Sequence, residues 1–157
     1  METLRRLDDP EGGEFPSDYD EARTAASFGR LVIQNDLHFS ISCEIDQNIQ
    51  DSAQYGRIEV PAQATARRTR IVVLVSRFHP LAMVAADNPG AFLGTDEACA
   101  EGALAASDLE KVEQALTESG YVAIPEELLA NHYDGATPLL FHGSYQPRWW
   151  DRFFGSF

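Results

Sequence analysis

The chain has 157 residues, about the length of one domain. Its 25 acidic residues outnumber its 12 basic residues and give a formal charge of −13, while 44% of its residues are hydrophobic. The hydrophobic content supports a packed core, and the charge repels nucleic acid and anionic membranes. We therefore expect a folded domain that binds neither. Its charge suits a basic protein partner or simply solubility.

The chain carries no pattern for export, membrane insertion or a disulfide scaffold. Its N-terminal stretch lacks the apolar core of a signal peptide, and no run approaches the roughly 18 apolar residues of a membrane span. Cys43 and Cys99 are too few for a disulfide framework and lack metal-binding spacing. These features predict a cytoplasmic protein with free cysteines.

The first residues predict a lead-in to a single domain. Residues 1–17 carry prolines and glycines among acidic residues, and we expect a loose acidic N-terminal segment there. One domain then covers residues 18–157. Ser17 or Asp18 can cap a short helix over residues 18–27.

The clearest pattern covers residues 37–45, where apolar and polar residues alternate strictly. Such alternation predicts a half-buried antiparallel strand. It follows a predicted strand at residues 31–34 and a two-residue turn at residues 35–36. The polar face, which carries His38 and Glu44, is either solvated or a binding surface.

A continuous apolar run at residues 71–75 predicts the central strand. Four of its five residues are β-branched, which is typical of a strand buried on both faces. Shorter strands are predicted at residues 55–60 and 81–86, and a turn at residues 87–90.

The second half of the chain changes to a helical period. Ser107 and Glu110 form a capping box for a helix over residues 107–119, and Gly120 stands where a left-handed residue ends a helix. The remaining predicted elements are helices at residues 95–106 and 126–131, an extended stretch at residues 121–124, a strand at residues 139–142 and a helix opened by Pro147. Because strands precede helices, we predict an α+β fold: an antiparallel meander of about five strands with helices packed on one face.

No arrangement typical of catalysis or metal binding occurs. The histidines stand apart without metal-ligand spacing: His38, His79, His132 and His142. Ser144 lacks the second glycine of a nucleophile elbow, and we interpret Cys43 as a small core residue. We therefore predict a non-enzymatic chain with no catalytic residue, no metal site and no cofactor.

Two local groups leave alternatives open. The arginines that flank the central strand either bind an anion or, as we favour, pair with nearby acids: Arg67, Arg68, Arg70 and Arg77. The aromatic tail over Trp149–Phe154 either docks as a terminal helix, which we favour, or forms an interface.

The C-terminal half resembles a group of small bacterial proteins, the immunity partners of polymorphic toxins. The residues that carry the resemblance are V-S-R-F-H-P-L at 75–81, a helix that stops at Gly120-Tyr121, I-P-E-E-L-L at 124–129, Y-D-G at 133–135 and W-W-D-R-F-F at 149–154. The resemblance implies a cytoplasmic, non-catalytic protein that binds one toxin domain and blocks it. An acidic surface fits that role because it speeds association with a basic toxin.

Our leading hypothesis is therefore an immunity protein that neutralises a cognate, basic protein toxin. The candidate partner-binding residues are acids in loops and on the predicted polar strand face: Glu44, Asp46, Asp51, Asp87, Asp96 and Glu97. The alternative from another class is a small hydrolase or transferase with a site among His38, Glu44 and the arginine group. A third hypothesis is a structural subunit that assembles through the aromatic tail.

Overall fold

The computed structural model describes residues 1–156. Over these residues the chain forms six α-helices and five β-strands. In chain order they are α1 (Glu2–Leu7), α2 (Glu21–Phe39), β1 (Glu44–Asp46), β2 (Gln54–Val60), β3 (Ile71–Ser76), β4 (Leu81–Ala86), α3 (Thr95–Ala100), α4 (Ala106–Glu118), β5 (Val122–Ala123), α5 (Glu126–Leu129) and α6 (Trp149–Phe154). Among them, no helix is long and apolar enough to cross a membrane.

The strands form one sheet in the order β1-β2-β3-β4-β5. The first four pair antiparallel, and β5 runs parallel to β4. Strand β3 lies at the centre with all six residues buried, as its apolar run predicts. The α+β fold class and the mostly antiparallel meander are confirmed.

Both faces of the sheet are covered, which explains why β3 has no polar face. On one face, Leu31 of α2 and Leu116 of α4 pack with Val73 in the larger core. On the other, Leu4 of α1 and Phe153 of α6 belong to a second core that is built on the opposite side chains of β3 and β4. The short helices at the two chain ends thus add a layer opposite the α2–α4 pair.

The predicted strand at residues 31–34 and most of the one at 37–45 are wrong, because helix α2 continues to Phe39; of the second stretch, only Glu44 and Ile45 lie in a strand, β1. Its length is set by a buried stripe of Leu31, Asn35 and Phe39 at four-residue spacing. Leu37, a core residue under the strand hypothesis, is 68% exposed. The helix ends where Ser40 takes a left-handed conformation, with φ of 52°.

Residues 1–17 are not the loose segment that their composition predicts. Helix α1 forms there, and Leu4 is fully buried in the second core. Asp8 is bound to Arg152, 144 residues further along the chain. Since the partner is remote in sequence, no local pattern reveals the contact.

Several element boundaries differ from those predicted. Helix α4 begins at Ala106 with no side-chain cap, so Ser107 does not form the predicted capping box. Gly120 has the predicted positive φ, 81°. The predicted strand at residues 139–142 is absent from the described structure, and the helices predicted at 95–106, at 126–131 and from Pro147 are the shorter elements α3, α5 and α6.

A buried ion pair joins the two ends of the chain. Arg152 Nε donates to Asp8 Oδ1 over 2.7 Å, and both side chains are almost fully buried. The other guanidinium nitrogens of Arg152 donate to the carbonyls of Gly13 and Asp9, each over 2.8 Å. The guanidinium also lies 4.3 Å from the centroid of the Phe78 ring. The pair therefore ties α6 to the N-terminal segment and to the turn after β3.

The Asp8 carboxylate has a full set of donors. Besides Arg152, it accepts from the Tyr133 hydroxyl (2.5 Å), the Thr137 hydroxyl (2.7 Å) and the Ala136 amide (2.8 Å). Burial raises the pKa of Asp8, but the hydrogen bonds from Tyr133, Arg152 and Thr137 outweigh it and hold the pKa below its ordinary 3.8. The carboxylate is therefore charged in the folded protein at neutral pH.

We expect Asp8→Asn to destabilise the protein by about 3–5 kcal/mol, because it removes the carboxylate that balances the buried Arg152 charge. Chemical denaturation followed by circular dichroism measures the loss. The matched control is Asp134→Asn, whose carboxylate pairs with Arg5 at the exposed surface, and it should change stability little. Equal effects of the two variants would show that the buried pair does not hold the ends together.

The same pair predicts acid sensitivity. Because the folded pKa of Asp8 lies below the unfolded one, its stabilisation is fully present above the unfolded pKa. It is lost as pH falls from about 4 through the folded value. Denaturation midpoints measured between pH 7 and pH 3 should fall more steeply for the natural chain than for Asp8→Asn.

The aromatic tail is part of the core in this structure. Phe153 is fully buried, and its ring centroid lies 5.1 Å from that of Phe78 in an edge-on arrangement. We expect Phe153→Ala to cost about 3–5 kcal/mol of unfolding free energy in a denaturant titration. Leu140 is 82% exposed, so Leu140→Ala serves as a truncation control that should stay within about 0.5 kcal/mol of the natural chain.

Candidate functional site

Three of the acids expected to bind a partner lie together at the β1 end of the sheet. Glu44 and Asp46 of β1 stand opposite Glu59 and Arg57 of β2. Asp87, which follows β4, joins them through Arg70. We name this group the edge surface, and its members are Glu44, Asp46, Arg57, Glu59, Arg70, Asp87 and Asn88.

The interior of the edge surface is a network of ion pairs centred on Arg70. Its Nε donates to Asp87 Oδ1 over 2.9 Å and its Nη1 to Glu59 Oε1 over 3.2 Å. Arg57 Nη2 donates to Glu59 Oε2 over 3.2 Å, and Asn88 Oδ1 accepts from both arginines. Asp87 and then Glu59 raise the pKa of Arg70. The network holds the side chains in place. Arg70 pairs with nearby acids, as we favoured in the sequence analysis over its binding an anion.

The outer part of the edge surface is acidic and unpaired. Within the described residues, Glu44 and Asp46 form no salt bridge, although Asp46 stands opposite Arg57, and Asp46 Oδ1 accepts from the Asn48 amide. The edge surface as a whole has four carboxylates against two guanidiniums, a net charge of −2. Glu44 also stands directly across from Glu59. Like charges at paired positions on adjacent strands are destabilising, and here the ion pairs of Glu59 with Arg57 and Arg70 offset that repulsion while Glu44 keeps no salt bridge of its own.

The backbone at this edge is open as well. Strand β1 is the last strand of the sheet on its side, and all three of its residues are exposed. Ile45 points to the opposite face from the two acids and is 49% exposed. An outer strand with free amides and carbonyls can accept an extended segment of another chain.

The other candidate acids lie elsewhere. Asp51 stands beside the C-terminal end, where Ser156 Oγ lies 3.2 Å from its Oδ1. Asp96 and Glu97 belong to the first turn of α3, where the Glu97 carboxylate accepts from the Leu93 amide. The structure therefore brings Glu44, Asp46 and Asp87 into one surface and leaves the other three outside it.

The residues of the hydrolase or transferase alternative have three separate sets of neighbours. His38 Nε2 lies 3.5 Å from Glu118 Oε2, where α2 meets α4. Glu44 and Arg70 belong to the edge surface, while Arg77 donates to the Ser52 carbonyl at the far end of β3. These side chains do not form one site, so nothing in their arrangement favours the alternative.

The thiol of Cys43 and the potential metal ligands of the chain offer little chemistry. Cys43 is buried in the larger core, and burial, helped by Asp36, raises the pKa of its thiol to about 12. A thiol with that pKa is a poor nucleophile at neutral pH. Across residues 1–156, no group of three or more histidines, cysteines and acids is placed to hold a metal ion.

Sequence reasoning missed Arg57 and Glu59 as members of the site. They alternate with Ile58 and Val60 in β2, so a period of two was available in the sequence. We placed the polar strand face at residues 37–45 instead of in β2.

Comparison with protein-family models, with curated proteins and with solved structures found no match of the chain to any of the three.

The placement of Glu44 directly across from Glu59 gives a prediction about the isolated protein. We expect Glu44→Lys to raise the thermal midpoint modestly, because a lysine opposite Glu59 replaces repulsion with attraction. Glu44→Gln removes the repulsion alone and should give a smaller rise. A lower midpoint for both variants would show that Glu44 contributes to folding and is not kept at a cost in stability.

Proposed function

We propose that this chain is a cytoplasmic immunity protein that binds and neutralises a cognate, basic toxin domain. The observation that carries the proposal is a pair of exposed carboxylates that form no salt bridge, Glu44 and Asp46, on the outer strand of the sheet. A site of this charge is completed by lysine or arginine side chains from another protein. The formal charge of −13 adds long-range attraction for the same partner.

The edge surface supports binding in two steps. First, its negative potential steers a basic partner and raises the association rate. Then a basic side chain of the toxin inserts between Glu44 and Glu59, while an extended toxin segment hydrogen-bonds to the free side of β1. Arg57 and Arg70 already hold the Glu59 carboxylate in place. Binding therefore costs little further side-chain entropy at this residue.

The chain neutralises the toxin by covering the basic surface with which the toxin binds its own substrate. A toxin that acts on nucleic acid needs its cationic cleft free for phosphate groups. The acidic edge competes for those cations and covers the cleft. In this proposal the chain is non-catalytic, needs no cofactor, and binds neither nucleic acid nor membranes.

The first test identifies the partner and its effect together. The tagged full-length chain is used to recover proteins from its native cell, and each recovered protein is then expressed alone in a heterologous host. We expect one partner that arrests growth by itself and is harmless when this chain is co-expressed. If no recovered protein is toxic, or if co-expression leaves the toxicity unchanged, the immunity function is wrong.

The second test locates the interface. We expect Glu44→Lys with Asp46→Lys to slow association with the recovered partner by tenfold or more and to flatten its salt dependence between 50 and 300 mM, on the order of effect seen for steered complexes. Glu101→Lys with Glu110→Lys gives the same change of net charge on exposed positions away from the edge surface. If this control pair slows association equally, total charge acts and the edge surface is not the interface.

A further inference from the structure

The two faces of β1 differ in their chemistry. Glu44 and Asp46 point to one face, where neither forms a salt bridge with the described residues, and Ile45 between them points to the other. All three residues are exposed, and β1 is the outer strand on its side of the sheet. A segment of another chain that pairs with β1 therefore meets two carboxylates on one face and an aliphatic side chain on the other.

The strand register identifies the face on which Ile45 lies. It stands directly opposite Ile58 of β2, which is fully buried in the larger core, on the side of the sheet that α2 and α4 cover. Cys43, two residues before Ile45, belongs to the same core. Ile45 thus lies at the border of that core, yet it is 49% exposed, since the described sheet has no strand beyond β1.

Helix α2 extends the apolar surface at this border. Asp36 Oδ1 accepts from the Cys43 amide over 2.8 Å, so this flank of the helix faces the start of β1. Val32 lies one turn earlier on the same flank, and it is only partly buried where it packs against the larger core. Both the sheet and the helix therefore present aliphatic side chains at the border.

The arrangement differs from that of a protected sheet edge. Edges are commonly blocked by inward-pointing charges, prolines or bulges, which prevent pairing with other chains. In β1 the residue that points towards α2 is an isoleucine, the charges lie on the opposite face, and the pairing with β2 runs in unbroken register. The carboxylates can therefore select a partner by charge while the backbone stays available for pairing.

We propose that the edge surface binds an extended segment of the toxin domain in which basic and aliphatic residues alternate. Successive side chains of an added strand point to opposite faces, so basic residues meet Glu44 and Asp46, and the residue between them packs beside Ile45. A shift of one residue would place aliphatic groups against the carboxylates, so the two faces together fix the register. The toxin as the source of the segment rests on the proposed function, whereas the alternation rests on β1 alone.

The test uses two synthetic peptides of the same composition and charge, the alternating T-K-V-K-V-K-T and the blocked T-K-K-K-V-V-T. Each is titrated into the full chain at constant ionic strength, and binding is followed through the backbone amide signals in NMR spectra. We expect the alternating peptide to bind on the order of tenfold more tightly than the blocked one, because only it forms favourable pairs on both faces. Its largest shifts should fall on β1.

Substitutions in the chain separate the contributions of the two faces. Ile45→Thr keeps a β-branched side chain but removes the aliphatic contact, so it should weaken the alternating peptide about fivefold and leave the blocked peptide unchanged. Val122→Thr is the matched control, because Val122 is 46% exposed on β5 at the opposite edge of the sheet, and it should change neither affinity. Glu44→Gln should weaken both peptides, since they carry the same charge.

Methylation of the peptide backbone tests strand addition directly. In a paired strand, alternate amides point to the neighbouring strand and the others point away. One version of the alternating peptide is methylated at its lysine amides and another at its valine amides. We expect one version to lose binding and the other to keep it.

Each other outcome overturns the proposal. Absence of binding by the alternating peptide excludes the site, and equal affinity of the two peptides shows that charge alone is recognised. Equal effects of Ile45→Thr and Val122→Thr remove Ile45 from the site, and equal effects of the two methylation patterns exclude strand addition. These results leave the immunity function to the co-expression test. If that test fails while the alternating peptide binds, the toxin is wrong as the source of the segment and the alternation stands.

Discussion

The Asp8–Arg152 ion pair is the contact on which the second layer of the fold depends. A buried guanidinium is tolerated only when each of its nitrogens has a partner, and here the partners come from Asp8 and from the carbonyls of Asp9 and Gly13. Meeting that requirement fixes the path of the first residues across the sheet. The pair thus determines where the N-terminal segment runs.

The charged side chains include some that stabilise the fold through ion pairs and others that form no ion pair. Charges that hold the fold are paired and buried, as for Asp8 with Arg152, or linked in a network, as for Arg70 with Glu59. Many other charged side chains form no ion pair, among them the carboxylates of Glu44 and Asp46 at the open β1 edge.

The sequence was most informative where burial dictates residue type over a short span. The run of β3 predicted a central strand because five consecutive apolar residues, four of them β-branched, are typical of a strand covered on both faces. The same reasoning failed for α2, where Leu37 and Phe39 suggested alternation although the helix buries Phe39 and exposes Leu37. At the candidate site, the acids of β1 were identifiable, but their pairing with Arg57 and Glu59 depends on strand register. The Asp8–Arg152 contact could not be predicted, because its partners are related by no local period.

The closure of both chain ends over the sheet has a consequence for biosynthesis. Ribosomes release a chain from its N-terminus, so Leu4 and Asp8 emerge long before α6 is made. Until Arg152 and Phe153 leave the ribosome, Asp8 lacks its guanidinium partner, and the sheet face that carries Leu74 and Met83 stays uncovered. The nascent domain can complete the α2–α4 side first, since those elements lie within the first 118 residues. The second layer therefore closes only after α6 has been made, and until then the uncovered apolar face is open to association with other chains.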